Sequence, residues 1–315
     1  MTTVKLTASC PPHIHCGRTT QGLMFETILA LLPAAAMAAW HYGLPALRVM
    51  ALCSAAAVCA EWVAERFTDR PLRIHDGSAL LLGLLTSFLL PATAPWWLAL
   101  AAALIAVGLG REIFGGLGGN PLNPALLGWA ICTLSWKGLM KPEFAVLHTD
   151  LVSPLSELKY QGLAVADRLS AADLLLGAQL SGLGAAQAGA LLLGGAWLLL
   201  RRRLRPHIPL AFLAGTALMA LFLQLAYPAT SAGPLFHLLA GGTVFAAFFL
   251  ASDPASSPVT RHGGLRPLRR GHERGHPHLR RVDRRGLLRR APGRAAHSHV
   301  RQAQALCLPR EVSHA

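Results

Sequence analysis

The densest group of polar and conformationally unusual residues in this chain lies at positions 115–125, which read Gly-Gly-Leu-Gly-Gly-Asn-Pro-Leu-Asn-Pro-Ala. Glycine lets a backbone turn sharply and come close to a ligand, and proline removes amide donors. The two asparagine side chains supply both hydrogen-bond donors and acceptors. Because apolar runs flank this segment, it predicts a polar pocket at membrane depth, and a tight interhelical turn is the alternative. The candidate binding residues are Gly115, Gly116, Gly118, Asn120 and Asn123.

The same segment excludes two common nucleotide-binding designs. It has no Gly-Lys-Ser/Thr ending, so it is not a phosphate-binding P-loop. It has no alternating strand and helix context, which a dinucleotide-binding fold requires. No residue pattern in the chain indicates a catalytic side chain.

The elements that must position this pocket are apolar runs of bilayer length. About 20 apolar residues cross a hydrocarbon core, and the chain up to residue 260 is a series of such runs rich in Ala, Leu and Gly. The sequence therefore predicts an all-α, polytopic integral membrane protein with about eight spans. Internal Gly and Pro suggest that some spans are broken or re-entrant. The alternative is that the small residues only let neighbouring helices approach one another. The predicted spans are 25–45, 46–64, 78–94, 96–110, 123–136, 184–200, 208–227 and 235–251.

Two stretches of similar outline suggest an internal repeat. In each, small polar residues precede an apolar run and a Pro-bounded polar turn follows it. The first has residues 75–78 before the run and 90–95 after it, and the second has residues 237–242 before the run and 252–260 after it. Two unrelated helices with similar caps would look the same. Since ionisable residues at membrane depth are default candidates for ion paths, Asp76 and Asp253 are the candidates here.

The other charged residues near the apolar runs have a simpler interpretation. Interfacial snorkelling, or local pairing such as Glu65 with Arg66 or Arg70, accounts for most of them without transport. The residues concerned include Glu61, Arg111 and Glu112.

Short loops predict the orientation, because cytoplasmic loops are enriched in Lys and Arg. If residues 1–24 form a cytoplasmic amino-terminal segment, every basic cluster falls on the cytoplasmic side and the long connection 137–183 lies outside. No cleavable signal peptide is visible in the first 22 residues. The predicted location is therefore a membrane, which the chain crosses several times from a cytoplasmic amino terminus.

The order of these motifs is similar to that of a known family. Gly17-Arg18-Thr19-Thr20, Asp76-Gly77-Ser78, residues 115–125 and residues 237–260 together resemble the RnfD membrane subunit of the Rnf electron-transport complex. Its relative NqrB, from the sodium-pumping NADH:quinone oxidoreductase, shares the pattern more loosely. The resemblance covers about residues 8–262. It implies about ten spans and a flavin-holding subunit that relays electrons between ferredoxin and NAD, coupled to Na⁺ or H⁺ transport.

The resemblance also implies a covalent flavin site. Family members attach FMN through a phosphoester to a Thr in an external loop, within a Ser/Thr-Gly-Ala-Thr sequence followed by Pro-Leu. Here Pro154-Leu155 fits that pattern and puts Ser153 at the attachment position, while residues 150–152 read Asp-Leu-Val. Three outcomes remain open: FMN attached at Ser153, flavin (FMN or riboflavin) bound without attachment, or no flavin on this loop.

The cysteines favour an organic redox cofactor over a metal centre. Cys53, Cys59 and Cys132 occur singly within apolar runs and offer no ligand set for a haem or an iron–sulfur cluster, so they are predicted to be buried and free. Cys10 and Cys16 enclose two His residues, but four groups so close together, with prolines between them, can hardly close a tetrahedron. No metal site is therefore predicted.

The expected partners follow from the resemblance. They are the iron–sulfur and flavin subunits of the same complex, together with membrane lipid, and nucleic acid is not expected. The chain alone would not be a complete enzyme but one component of an ion-translocating oxidoreductase. A small-solute channel or transporter is the rival from another class, because broken helices also build pores. A scaffold subunit without covalent flavin is a third interpretation.

The last 55 residues differ from the rest in composition. Residues 261–315 contain fourteen Arg and no Lys, and they hold +11 of the formal net charge of +14. This segment has no helical or strand period, and the sequence favours an out-of-frame or disordered tail following a membrane domain at 25–260. A genuine basic tail that binds anionic lipid or nucleic acid is the alternative.

Overall fold

The structure, a computed structural model, describes residues 19–68, 74–140, 153–161, 170–228, 231–253 and residue 256. The described part is helical throughout and contains no β-strand. It belongs to one compact unit, Thr19–Leu265. The amino-terminal residues with Cys10 and Cys16, the loop residues 150–152 and the basic tail from residue 261 lie outside the described residues.

Two long antiparallel helices open the fold. Helix α1 (Thr20–Tyr42) begins at Thr19, whose Oγ1 accepts a hydrogen bond from the backbone N–H of Gly22 at 3.1 Å. It ends at Gly43, which has a positive φ of 65°, and α2 (Leu44–Phe67) starts at the next residue. A single residue therefore reverses the chain.

Shorter helices complete the bundle. A 3-10 turn (Ile74–Asp76) leads into α3 (Ser78–Leu89), and α4 (Trp96–Val107) continues as a first π-helical segment (Gly108–Glu112). The remaining helices are α5 (Pro124–Ser135), α6 (Pro154–Gln161), α7 (Ala171–Leu176), α8 (Ala188–Leu200), α9 (His207–Ala226), α10 (Pro234–Leu239) and α11 (Thr243–Phe245). The last of these runs directly into a second π-helical segment (Ala246–Leu250).

The contacts between helices define two ends of the bundle. We call one end the arginine face, because it carries Arg66, Arg111, Arg201 and Arg203, which follow or end helices that run toward it. The opposite face carries the α1–α2 turn, and there Tyr42 donates a hydrogen bond to the backbone carbonyl of Gln179 at 3.0 Å. The prediction that the basic loops share one side of the bundle is consistent with this arrangement.

Glycine allows helices to approach backbone to backbone. A Cβ on Gly194 of α8 would lie 2.0 Å from the carbonyl oxygen of Ala30 in α1. A Cβ on Gly128 of α5 would lie 2.7 Å from the carbonyl oxygen of Ala102 in α4. Small residues at such crossings are typical of membrane helices, where close packing replaces the hydrophobic effect as the force between helices.

The observed helices follow the order of the predicted spans and differ from them in length. Among the described residues, three helices are long and apolar enough to cross a membrane, namely α1, α2 and α9. The helices at the other predicted spans are shorter, and the predicted span 235–251 is broken at residues 240–242, as its glycines had suggested. The chain turns at Gly43 rather than at residue 45, and α8 begins at Ala188 rather than at 184.

The predicted long connection also contains structure. Helices α6 and α7 lie within it, and residues 177–187 pack into the bundle: the backbone N–H of Leu183 donates to the carbonyl of Leu90 at 2.8 Å. The prediction of buried, free cysteines is confirmed for Cys53 and Cys132 and is wrong for Cys59, which is free and exposed.

Candidate functional site

The two π-helical segments end next to each other at the arginine face. The first delivers Arg111 and Glu112, and the chain then passes through the glycine-rich loop to Asn123, which begins α5. The second ends at Leu250, whose carbonyl accepts a hydrogen bond from Asn123 Nδ2 at 3.2 Å. Because π-helical turns are uncommon and frequent at functional sites, their meeting point is a natural place for one.

A buried charged cluster lies at this point. Glu61 of α2, Ser78 of α3 and Arg111 are 2%, 5% and 4% exposed. The Arg111 guanidinium donates through Nη2 to Glu61 Oε1 and through Nη1 to Ser78 Oγ, the latter at 3.2 Å. Its Nε donates to Glu112 Oε1 at 3.2 Å, and the Ser78 hydroxyl donates to Glu61 Oε1 at 3.3 Å. The cluster thus joins α2, α3 and the first π-helical segment.

Polar capacity remains unused in this cluster. Glu61 Oε2 is buried and has no hydrogen-bond partner among the described residues. A guanidinium has five N–H donors, and the described contacts of Arg111 use three of them. A buried acceptor without a partner costs about 1–3 kcal/mol, and more when it is charged. The cluster therefore keeps one buried acceptor and two donors without partners among the described residues.

The two asparagines fix the glycine-rich loop in place. Asn123 Oδ1 accepts from the backbone N–H groups of Ala125 and Leu126 at 3.0 and 3.4 Å, which caps α5. Asn120 Nδ2 donates to the carbonyl of Leu122 at 3.0 Å and to Asp253 Oδ2 at 3.5 Å. Each asparagine thereby makes hydrogen bonds to nearby backbone groups and to a residue at or just after the end of the second π-helical segment.

These groups line an open cavity of about 430 Å³. Its polar wall contains Ser78, Arg111, Asn120, Asn123 and Asp253. Its apolar wall consists of Met24, Leu81, Leu82, Leu85, Leu117 and Pro124. A mostly apolar cleft with a few convergent polar groups is the usual form of a small-molecule site.

A second cavity adjoins the first. It encloses about 540 Å³ of open space and shares Met24, Leu81, Leu85 and Asp253 with its neighbour. Its remaining lining is mainly apolar and includes Leu23, Leu198, Phe248 and Phe249, with Arg203 among the polar members. The two cavities thus form adjoining spaces on either side of Asp253.

An ion pair closes the rim of the second cavity. Arg203 Nη2 donates to Glu26 Oε1 at 2.8 Å, and Arg201 Nη2 reaches the same oxygen at 3.2 Å. Hydrogen bonding to the Glu26 carboxylate raises the pKa of the Arg203 guanidinium. This pair joins the start of α1 to the loop after α8.

The opposite face has a different polar centre. Gln179 is fully buried, and its Nε2 donates to the carbonyls of Ala186 and Leu239 at 2.9 and 3.0 Å. Its Oε1 accepts from the backbone N–H of Gly241 at 2.9 Å. This one amide therefore holds the break between α10 and α11 against residues 177–187.

Ser153 lies at the amino end of α6, on the same face. Its hydroxyl is half-buried and donates to Ser156 Oγ at 3.1 Å. The neighbouring Leu155 packs near Gly241, where its Cδ1 would lie 3.4 Å from a Cβ. The structure therefore separates Ser153 from the cavities at the arginine face.

The predicted site residues are only partly brought together. Asn120, Asn123 and Asp253 line one cavity, as the pocket prediction requires. Gly115 and Gly118 are exposed, with φ of 101° and 90°, and are not among the lining residues of the described cavities. Gly116, between them, is buried.

Asp76 does not join Asp253. It ends the 3-10 turn before α3, is partly exposed, and is not among the lining residues of the two cavities. The suggested equivalence of the two turns is therefore not accompanied by a shared site in the described part of the chain.

Three functional candidates were not evident from the sequence. Glu61 and Arg111 were expected to pair locally or to snorkel at the interface, which is wrong, because both are buried and pair with each other across 50 positions of sequence. The hydroxyl of Ser78 was not expected to be a partner of that pair. The available signal was a carboxylate and a guanidinium within two apolar runs, where each requires a partner.

Comparisons with known proteins agree with the resemblance. The chain matches the family described as NQR2, RnfD, RnfE over residues 7–266. It is 36% identical over 272 residues to the D component of the Na⁺-translocating ferredoxin:NAD⁺ oxidoreductase complex of Acetobacterium woodii, with 84% of this chain and 82% of the relative covered.

Two further relatives carry similar names. The D component of the ion-translocating oxidoreductase complex of Stutzerimonas stutzeri is 34% identical, and the match covers 77% of this chain and 78% of the relative. The D component of the proton-translocating ferredoxin:NAD⁺ oxidoreductase complex of Clostridium ljungdahlii is 31% identical, and the match covers 82% of each. With the family match spanning the whole described helical bundle, this chain belongs to the NQR2, RnfD, RnfE family.

Proposed function

We propose that this chain is a membrane subunit of an ion-translocating electron-transport complex of the ferredoxin:NAD oxidoreductase type. The observation that carries the proposal is the family match over residues 7–266, together with relatives that are named as components of such complexes. The partners are then the iron–sulfur and flavin subunits of the complex. With residues 1–24 in the cytoplasm, the arginine face is the cytoplasmic face of the inner membrane.

A bound flavin supplies the one-electron and two-electron steps that protein side chains at neutral pH do not readily perform. The residues in the arginine-face cavity fit such a group. The cavity wall combines leucines with Arg111 and Ser78, and both of these polar residues hydrogen-bond to Glu61 behind the wall. A planar ring with a polar edge suits this combination.

The charges around the cavity favour a flavin without a phosphate. Arg111 is already paired with the carboxylates of Glu61 and Glu112, and Asp253 adds a third acid to the site. An added phosphate would meet this excess of negative charge in a low-dielectric setting, which is unfavourable. The proposed occupant is therefore riboflavin, bound without a covalent link.

FMN attached at Ser153 would be a separate flavin on the opposite face. Ser153 occupies the position before Pro154 at the start of α6, so a phosphoester there would lie at a helix amino terminus, where negative charge is stabilised. The hydroxyl of Ser153 hydrogen-bonds to Ser156 Oγ, so a second hydroxyl lies beside the attachment position. An unmodified Ser153 with flavin only in the cavity is the alternative.

Asp253 is the proposed ion-path residue of the cavity. It lies where the two cavities meet and accepts from Asn120 and from Ser256 Oγ, the latter at 3.0 Å. Asp76 stays a candidate for the same face. The relatives are named with Na⁺ in one case and protons in another, so either ion suits the family.

One experiment tests both flavins. The complex is purified from membranes, its non-covalent flavin is extracted and identified, and the mass of the peptide with Ser153 is measured. We expect extractable riboflavin in the wild type. Leu117→Trp, which fills the cavity, should reduce its amount, whereas Leu122→Trp on the same loop should not, because Leu122 is 62% exposed and is not among the cavity-lining residues.

Attachment at Ser153 is tested with two serine variants, of which the second is the control. An FMN adduct that disappears in Ser153→Ala and persists in Ser156→Ala supports attachment at Ser153. A complex with neither extractable nor covalent flavin contradicts the flavin proposal and favours a scaffold role.

A further inference from the structure

We propose that residues 201–205, which we call the arginine loop, bind the phosphate of an anionic phospholipid, and that the acyl chains of this lipid lie along the outer side of α8. The loop reads Arg-Arg-Arg-Leu-Arg and joins α8 to α9 at the arginine face. This surface lies on the outside of the bundle rather than in the two cavities, and no flavin is needed for it to bind a lipid.

The outer side of α8 is an apolar stripe. Leu193, Trp197 and Leu200 are 69%, 42% and 80% exposed, and their spacing of four and three positions puts them on one side of the helix. On the other side, Leu191 and Leu198 are buried in the hydrophobic core. In a chain that spans a membrane, an exposed apolar stripe of this kind contacts lipid acyl chains, which are as apolar as leucine.

The stripe ends at an aromatic ring and a positive charge. The guanidinium of Arg201 lies over the Trp197 ring, with 5.6 Å between its central carbon and the ring centroid, and the Arg201 side chain is 55% exposed. Tryptophan is enriched at the depth of the lipid headgroups, because its ring is amphipathic. The phosphates of the adjoining leaflet are therefore expected at the level of Trp197 and Arg201.

Arg202 holds an unusual backbone conformation. Its φ is 54°, and it is the one non-glycine residue with a positive φ among the described residues. Its N–H donates to the carbonyl of Leu199 at 2.9 Å, and the next N–H, of Arg203, donates to that of Leu198 at the same distance. Glycine is the usual residue where a helix ends with this pattern, because a side chain in the left-handed conformation costs folding free energy. An exposed arginine at such a position points to a use for its guanidinium at the surface.

The charge of the loop is complementary to a phosphate. Glu26 accepts from Arg203 through both carboxylate oxygens and from Arg201 through one of them. Neither of the two helices that the loop joins contains an acid, and the sequence has none between Asp173 and Asp253. Guanidinium groups bind phosphate oxygens through paired N–H donors. Four arginines within five positions therefore favour an anionic headgroup at this point of the membrane surface.

An anionic phospholipid uses both parts of this surface, because its phosphate meets the arginines while its acyl chains cover the stripe. Free phosphate would use the arginines alone. A zwitterionic lipid would cover the stripe but would bring the positive charge of its own headgroup to the loop. The combination therefore favours the anionic lipid over both.

Lipid binding to the full-length chain tests this proposal. The protein is purified in detergent, freed of bound lipid and titrated with dioleoyl phosphatidylglycerol or dioleoyl phosphatidylcholine, and bound lipid is counted by native mass spectrometry. The two lipids share their acyl chains and differ in net charge. Phosphatidylglycerol should bind about tenfold more tightly, because each arginine near an anionic headgroup adds to the preference. Equal binding would overturn the proposal, and so would displacement of phosphatidylglycerol by excess inorganic phosphate, which would show a phosphate site without a lipid.

Arg202→Gly separates lipid binding from folding. Glycine suits the positive φ, so the variant should melt at or above the temperature of the wild type. Its preference for phosphatidylglycerol should nevertheless fall about fivefold, as the loss of one basic residue predicts, and Arg202→Lys should keep most of the preference. A stable Arg202→Gly protein with the full preference would overturn the proposal.

Two further variants test the two parts of the surface. Trp197→Ala shortens the apolar stripe and should weaken both lipids alike, and unchanged binding of both would overturn the placement of the acyl chains. Arg66→Gln is the matched charge control, because Arg66 is exposed at the end of α2 on the same face but outside the loop. It should change the preference less than about twofold. A loss as large as that in Arg202→Gly would show that the preference belongs to the whole arginine face, and would overturn a site at the loop.

Discussion

Two buried polar groups, one on each face of this bundle, differ in how fully their hydrogen bonds are satisfied. On the arginine face, Glu61 and Arg111 are charged, paired and still hold unused hydrogen-bonding capacity beside a cavity. On the opposite face, Gln179 is neutral, and both polar atoms of its amide bond to backbone groups. A buried side chain whose hydrogen-bonding groups all have partners therefore holds structural elements together. A buried polar group with unused hydrogen-bonding capacity beside a cavity indicates a place for a ligand.

The largest effect should come from separating the charges on the arginine face. Arg111→Met leaves the Glu61 carboxylate buried without its counter-charge, which costs about 3–5 kcal/mol. Replacing both residues, as Arg111→Met with Glu61→Leu, should recover much of that loss. Thermal unfolding of the detergent-purified protein measures the comparison, and equal destabilisation by the single and double variants would contradict the pairing.

A smaller effect is expected from the amides of the opposite face. Gln179→Met leaves the Leu239 carbonyl and the Gly241 N–H without the amide as partner, at about 1–3 kcal/mol for each group, whereas the Ala186 carbonyl still accepts from the N–H of Ala188. Gln187 is the matched control: it is also fully buried, but neither of its side-chain polar atoms has a partner among the described residues. Gln187→Met should therefore be neutral or stabilising in the same unfolding measurement. Similar losses of stability in both variants would show that the hydrogen bonds of the Gln179 amide contribute no particular stability to this face.

The smallest effect should follow from the rim of the second cavity. Glu26 pairs with Arg203 and with the largely exposed Arg201, so Glu26→Gln should cost less than about 1 kcal/mol. Because salt screens exposed pairs, the difference from wild type should shrink as ionic strength rises. Thermal unfolding of both proteins in low and high salt measures this difference in stability. A loss above about 1 kcal/mol that does not change with salt would contradict the prediction and show that the Glu26 pair behaves like a buried one.

Sequence reasoning found the parts of the fold that local composition determines. Apolar runs of sufficient length predicted the helices in the right order, and internal Gly and Pro residues suggested broken segments, one of which lies between α10 and α11. Asn120 and Asn123 line a cavity in the structure, and their part in binding a ligand stays a prediction. Boundaries shifted by a few residues where capping, rather than hydropathy, ends a helix, as at Gly43.

The central cluster could not be found in this way. Glu61, Ser78 and Arg111 come from three elements that are separated by 17 and 33 positions, and only packing brings them together. A charged residue near the end of an apolar run has a simple local explanation in its snorkelling side chain, and that explanation competes with a distant partner. The π-helical turn that aims Arg111 inward has no recognisable sequence signature here.

The one-residue connection at Gly43 has a consequence for how the protein enters the membrane. Helices α1 and α2 have 23 and 24 residues and are joined by one residue. So short a connection between the two helices cannot extend beyond the opposite side of the bilayer while α2 is still being synthesised. We expect them to insert together as a helical hairpin, with the backbone polar groups of the turn crossing the bilayer once. The first committed step of assembly would then be a pair of helices rather than a single one.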